Sequence, residues 1–177
     1  MKAAHAKQMR LFRRWLSRGQ FDRLHDAHYD WWMFPINKPS GGMGAAYTCY
    51  ATELMELQKD AEYMQEWREG VRMLCFCWGW DVERAREIPR KDRRVEDGQC
   101  WQQWPVRLYK ATLSAQLFGE SALFRSLRAY GRLLLKRGEK LSYGGHDLSV
   151  LFTEEDAANE AEEVEEKKQK QEEDEED

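Results

Sequence analysis

The chain predicts an all-α fold, an irregular bundle of five or six helices followed by a disordered acidic C-terminal tail. Three observations predict it. Apolar residues recur at helical spacing from about residue 9 to residue 135, strand-type alternation is almost absent, and the end of the chain has high charge with almost no large apolar side chains. A chain of 177 residues is long enough for one domain with a genuine core. The expected organisation is a single helical domain over residues 1–150 and an acidic low-complexity tail over 151–177.

The first helix is expected from about Ala6 to Ser17, with Met9, Phe12 and Leu16 on one face and Gly19 as its stop. The second is expected from about Gln20 to Met33, with Phe21, Leu24, His28 and Trp31 inward. Pro35 disfavours helical geometry at Phe34 and fixes the end. The Gly- and Pro-rich stretch Asn37 to Ala46 reads as a loop. From Thr52 the helical period resumes through Leu54, Leu57, Ala61, Met64, Val71, Leu74 and Trp78, with Asp60 placed to cap a second segment and Gly79 to end it. The charged stretch Asp81 to Gln99, containing Pro89, reads as a loop or a frayed short helix. Pro105 suits the first turn of a helix reaching Phe118, with Leu108, Ala111 or Thr112, and Ala115 inward and Gly119 as its stop. Ser121 is placed to cap a last helix with Leu123, Leu127, Tyr130 and Leu134 inward, and Gly138 to close the folded body.

The net charge of -4 conceals an asymmetry. Residues 154–177 carry fourteen acids and three lysines, net -11, which leaves 25 basic against 18 acidic residues in the preceding 153, net +7. Such a tail either folds back on the basic body and masks it from polyanions or serves to keep the protein in solution. The first twenty residues contain no acid and six cations, the composition of a transit peptide. The pattern runs on without a cleavage-like break into Phe21 and Leu24, which favours a helix of the body instead. No apolar run approaches the length of a membrane span, and an intracellular protein of the cytoplasm or nucleus is expected. Cys49, Cys75, Cys77 and Cys100 show no CxxC spacing, and Cys75 and Cys77 read as small buried hydrophobes.

The densest signal is His28, Tyr29, Asp30, Trp31, Trp32, Met33, Phe34, Pro35 and Ile36. Large aromatic rings bury more surface than other side chains and each indole N–H wants a partner, so the block reads as a structural nucleus or a binding motif. His25 and His28, one turn apart beside Asp22, Asp26 and Asp30, raise a metal or acid–base site. The i, i+3 spacing lacks the HExxH pattern, and no third ligand is identifiable, His5 lying in a terminus and His146 in a weakly structured segment. His28 is therefore expected to pack on Trp31 or Trp32 and donate to a backbone carbonyl. Arg84, Arg86, Arg90, Lys91, Arg93 and Arg94, flanked by Trp80, Trp101 and Trp104, combine cations for phosphates with planes for base stacking. Interspersed acids leave that segment only slightly positive, so the competing reading is a solvated charged loop. No Walker loop, GxGxxG or GxSxG is present, and Gly41-Gly42-Met43-Gly44 lacks a following lysine. No nucleophile, base and orienter assemble, so no enzymatic activity and no cofactor are expected.

Three blocks in order resemble the conserved domain of the opioid growth factor receptor family. Its Tyr-x-x-Trp-Leu-Phe-Pro-Leu motif is similar to Tyr29, Trp32, Met33, Phe34, Pro35 and Ile36; its long helix ending in aromatic-Gly, to the run reaching Trp78 and Gly79. Its Arg-Ile-x-Arg helix with a later Ser and closing Gly is similar to Arg107, Leu108, Lys110, Ser114 and Gly119. The family's histidine before the tyrosine falls at Ala27, and Asp30 and Trp31 replace an apolar residue and a glutamine. The resemblance covers roughly residues 15 to 135 and implies an all-α intracellular domain, named for peptide-receptor activity in one branch. It fixes no peptide-binding residue. The expected function is a non-enzymatic protein- or peptide-interaction module; the alternative is a nucleic-acid-associated protein using the 84–94 segment and modulated by its acidic tail.

Overall fold

The computed structural model describes residues 1–89 and 103–153. The acidic tail from residue 154, with its expected disorder, and Arg90, Lys91, Arg93, Arg94, Cys100 and Trp101 lie outside the described residues. Among the described residues the fold is mostly helical, as expected, with eight helical segments and two short antiparallel hairpins. The segments are α1 (Lys2–Ser17), α2 (Phe21–Asp26), α3 (Asp30–Met33), α4 (Ala51–Lys59) and α5 (Ala61–Cys77). After the hairpin β1 (Trp80–Asp81) and β2 (Arg86–Glu87) come α6 (Trp104–Leu117) and α7 (Ser121–Lys136). The hairpin β3 (Ser142–Tyr143) and β4 (His146–Asp147) and the single turn α8 (Val150–Thr153) end the described chain.

α6 is the enclosed centre. Ten of its fourteen residues are buried, on nearly every side, with Pro105 in the first turn where a missing N–H costs nothing. α7 packs along it with Leu123, Leu127, Tyr130 and Leu134 inward, as the spacing predicts. α1 and α5 cross where Gly70 allows it: a Cβ there would lie 2.7 Å from Met33 Cε and 3.2 Å from Met9 Sδ. Asp60 separates α4 from α5, its Oδ1 accepting from the Tyr63 N–H at 3.0 Å, and Gly79 turns the chain out of α5 with φ 76°. Ala61, expected inward, is exposed.

Several expectations need correction. The helix expected over Gln20–Met33 is broken into α2 and α3 by Ala27, which is extended at φ -76°, ψ 138°. The break shifts the inward face: His28 is exposed and Tyr29 is fully enclosed in its place. Ser121 does not cap α7. Glu120 occupies that position, and its carboxylate instead accepts from the Arg68 guanidinium of α5. The polar stretch after Asp81 begins with a hairpin, not a loop or helix, because Ala85 adopts φ 46° and the strands pair Trp80 with Glu87. Gly138 ends α7 but not the folded body. Leu141 is buried beyond it, and Phe152 of α8 is fully enclosed against Gly131, where any side chain would collide with the ring. The Arg132 Nε donates to the Phe152 carbonyl at 2.7 Å, pinning this last turn.

His5 is not a terminal bystander. It is fully buried in α1, its ring 4.7 Å from that of Tyr63, and neither ring nitrogen has a hydrogen-bond partner. Glu66 Oε2 stands 3.8 Å from its Nδ1, and the other oxygen of that carboxylate, Oε1, is engaged by Arg13 at 3.0 Å. Burial, then the nearby Arg13 cation, lowers the imidazole pKa to about 4, so the ring is neutral at pH 7. The unfolded chain, with an ordinary histidine near 6.5, takes up the proton first as pH falls. Stability is then whole above about pH 6.5 and declines toward pH 4, by about 3 kcal/mol from this group. His5→Leu is expected to flatten that part of the pH profile without loss at pH 7.5, measured by urea denaturation across the range; an unchanged slope refutes the assignment.

Candidate binding surface

The aromatic block is built by a cation buried far along the chain. In a continuous helix the Leu24 carbonyl would accept from the His28 N–H and the Ala27 carbonyl from the Trp31 N–H. Both carbonyls accept instead from Arg107 of α6, at 3.2 Å from Nη1 and 2.8 Å from Nη2. The guanidinium is fully buried, also donates to Gln103 Oε1 at 2.8 Å, and lies 4.6 Å from the centre of the Tyr29 ring. One turn along α6, Lys110 Nζ donates to Asp30 Oδ2 at 2.7 Å with both side chains 8 % exposed. Arg107 and Lys110, two of the residues carrying the family resemblance, are thus core fasteners and not surface contacts.

These fasteners sort the block into two halves. Tyr29, Met33, Phe34, Pro35 and Ile36 face inward, with Tyr29 edge-on to Phe12 at 4.7 Å and burial pushing its phenol pKa up. His28 is exposed and Trp31 half-buried, while Trp32, also half-buried, shows part of its ring to solvent and packs the rest against the core, its Nε1 enclosed without a partner among the described residues. Their rings run on as one shelf. His28 is inclined by 23° to Trp31 at 6.1 Å, Trp31 is 6.0 Å from Trp32 at 45°, and Trp32 is 5.7 Å from the half-buried Tyr47 at 57°. Lys110 Nζ stands 5.5 Å from the Trp31 ring centre. The Trp31 Nε1–H donates to Ser40 Oγ at 2.9 Å, and the Gly42 and Met43 N–H groups donate to the same oxygen, so the glycine-rich turn is tied to the indole. The Cys49 N–H donates to the Ile36 carbonyl at 3.0 Å and closes the base of this loop. At the rim Lys38 donates to the Tyr109 hydroxyl at 2.9 Å.

The other sequence-derived candidates are not brought together. His25 is buried and His28 exposed, on opposite sides of the Ala27 break, and Asp26 points to solvent. Among the described residues no group of three His, Cys, Asp or Glu side chains is placed to hold a metal ion. Trp80 and Trp104 are core residues, not stacking planes: Trp80 donates to Ser126 Oγ at 3.1 Å and stacks on Tyr130 at 4.9 Å. Arg84 and Arg86 are exposed, and Arg84 is paired to Asp81 at 3.1 Å. The acids of the hairpin are also engaged, Glu83 by Arg72 and Glu87 by Arg137. Cys49, Cys75 and Cys77 are buried free thiols, and burial raises the pKa of Cys49 and Cys75, which suits packing rather than nucleophilic chemistry. Among the described residues no helix is long and apolar enough to cross a membrane.

Two substitutions separate fastening from display. Lys110→Met leaves the Asp30 carboxylate buried and unpaired and is expected to cost about 3–5 kcal/mol, with most of it recovered in Lys110→Met/Asp30→Leu. A double variant no more stable than the single one refutes the pairing. Trp32→Ala is expected to cost about 1–2 kcal/mol, because the ring is only half enclosed, against about 3–5 kcal/mol for the fully buried Trp67. Equal losses in guanidinium denaturation would place Trp32 in the core. Comparison with family models, curated proteins and solved structures finds no match to this chain.

Proposed function

We propose that this protein is a non-enzymatic helical interaction module, of the kind its resemblance to the opioid growth factor receptor conserved domain implies, and that its contact face for a peptide segment is the His28–Trp31–Trp32–Tyr47 shelf. The observation that carries this reading is the shelf itself, a continuous run of exposed and half-buried rings held by groups that are themselves locked. Tryptophan and tyrosine dominate binding energy at protein contacts, because they bury large area at little cost in side-chain freedom. Here Trp31 is fixed by Ser40 on one edge, and the segment beneath it by the Lys110–Asp30 pair. Such pre-ordering lowers what a partner must spend to bind. Three buried free thiols suit a reducing compartment, in keeping with an intracellular module of cytoplasm or nucleus.

The test is selection of displayed random peptides on the full chain, followed by affinity measurement with synthetic copies. Expected is enrichment of peptides with apolar or aromatic side chains whose affinity falls about tenfold or more in Trp32→Ala and in His28→Ala/Tyr47→Ala. The second variant changes positions that, unlike Trp32, are not packed against the core, so it keeps the test valid if the first unfolds. Enriched peptides that bind all variants equally, or no enrichment at all, would overturn the proposal.

A further inference from the structure

The outer face of α1, continued by Arg18 just beyond its end, is a cationic stripe without an ion-pair partner among the described residues. Lys7, Arg10, Arg14 and Arg18 follow a three, four, four spacing, which at 100° per residue keeps them within about 80° of one another along about 16 Å of helix. All four are exposed. α1 contains no carboxylate, and its other cations are engaged elsewhere, Lys2 with Asp60 and Arg13 with Glu66 and Glu69. The opposite face, with His5, Met9, Phe12 and Trp15, is buried. Among the described residues, the four stripe cations make no ion pair.

We infer that this stripe is the docking face for the chain's own acidic segment, residues 154–177. The charges complement: four cations in register, unpaired among the described residues, match a segment with fourteen acids and a net charge of -11. The tether permits it. Phe152 is fully enclosed beside α7, so the segment leaves from a fixed point at Thr153. Twenty-four residues reach at most about 80 Å, against a radius of gyration of about 15 Å for a body of this size. A tethered polyanion also acts at an effective concentration of roughly millimolar, which favours it over a free polyanion of similar charge density. The described hairpin offers less, since its Arg84 is already paired with Asp81 and only Arg86 is left beside it.

Zero-length carbodiimide coupling on the full chain tests the contact, because it joins a lysine amine to a carboxylate only in direct contact. Expected is coupling of Lys7 to acids within 154–177 at low salt, falling about tenfold at 0.5 M salt, where screening is nearly complete beyond a few ångströms. Arg10→Glu/Arg14→Glu/Arg18→Glu is expected to abolish it while leaving the Lys2–Asp60 coupling and the circular dichroism spectrum intact. Coupling of the acidic segment to other lysines with none at Lys7 would overturn the inference, as would Lys7 coupling indifferent to the triple reversal. A single-stranded oligonucleotide that shields Lys7 from acylation in the full chain, with the coupling pattern of residues 154–177 unchanged, would assign the stripe to nucleic acid instead and equally overturn it. None of these outcomes depends on the aromatic shelf.

Discussion

The structure depends on satisfying two cations inside its most enclosed helix. α6 is buried on nearly all sides, a position that usually calls for uniformly apolar sequence, yet it carries Arg107 and Lys110 one turn apart. A guanidinium taken out of water must find acceptors for its N–H groups, and among the described residues no carboxylate supplies them. The acceptors are two peptide carbonyls, freed only because the helix before α3 breaks, and the Gln103 side-chain oxygen, while the Nε–H is left without a partner among the described residues. Arg107 in effect replaces two backbone N–H groups, so the kink at Ala27 and the burial of the guanidinium are one event seen from two ends of the chain. Lys110 completes it by neutralising Asp30, whose carboxylate would otherwise be stranded beneath Trp31.

Around that fastening the remaining elements close by shape. Gly70 lets α1 and α3 approach α5, and Gly131 makes room for the Phe152 ring, so at both crossings the missing side chain determines the distance between elements. Tyr130 of α7 stacks on Trp78 and Trp80 and donates to the Trp78 carbonyl at 3.3 Å, anchoring the exit of α5. These contacts involve residues about fifty positions apart and bring the two halves of the chain into one core.

What was legible in the sequence was local. Asp60 as a cap, Gly79 and Gly119 as stops, Pro105 as a first-turn residue and the inward stripe of α7 each follow from neighbours within one or two turns. The break at Ala27 was not legible, because its cause sits eighty positions away in Arg107; locally the segment has helical spacing and no Gly or Pro to mark the interruption. Without a local sign of the break, helical spacing sets the inward phase one residue early, at His28 rather than at the buried Tyr29. The two short hairpins differ: both have two-residue strands too brief to show alternation, but Ala85 at positive φ does not announce the first turn, whereas Gly144-Gly145, both at positive φ, is a legible two-residue hairpin signal for the second. His5 was hidden by its place near the start of the chain, though its spacing to Met9 and Phe12 put it on the buried face.

The same break explains how one short block supports the core and also meets solvent. An uninterrupted helix would have distributed the rings of residues 28–34 around its axis, with His28 and Trp31 turned inward together. A single turn after the extended Ala27, left by Phe34 at φ -127°, ψ 79°, instead directs Tyr29, Met33 and Phe34 into the core and leaves Trp31 and Trp32 half-buried as neighbours at its edge. The inward half is then held by burial and by Arg107, the outward half by the Ser40 turn and the Lys110–Asp30 pair. Rings fixed on both sides in this way lose little further freedom when covered. The helix interruption that secures two buried cations therefore also orders the aromatic rings that meet solvent beside it.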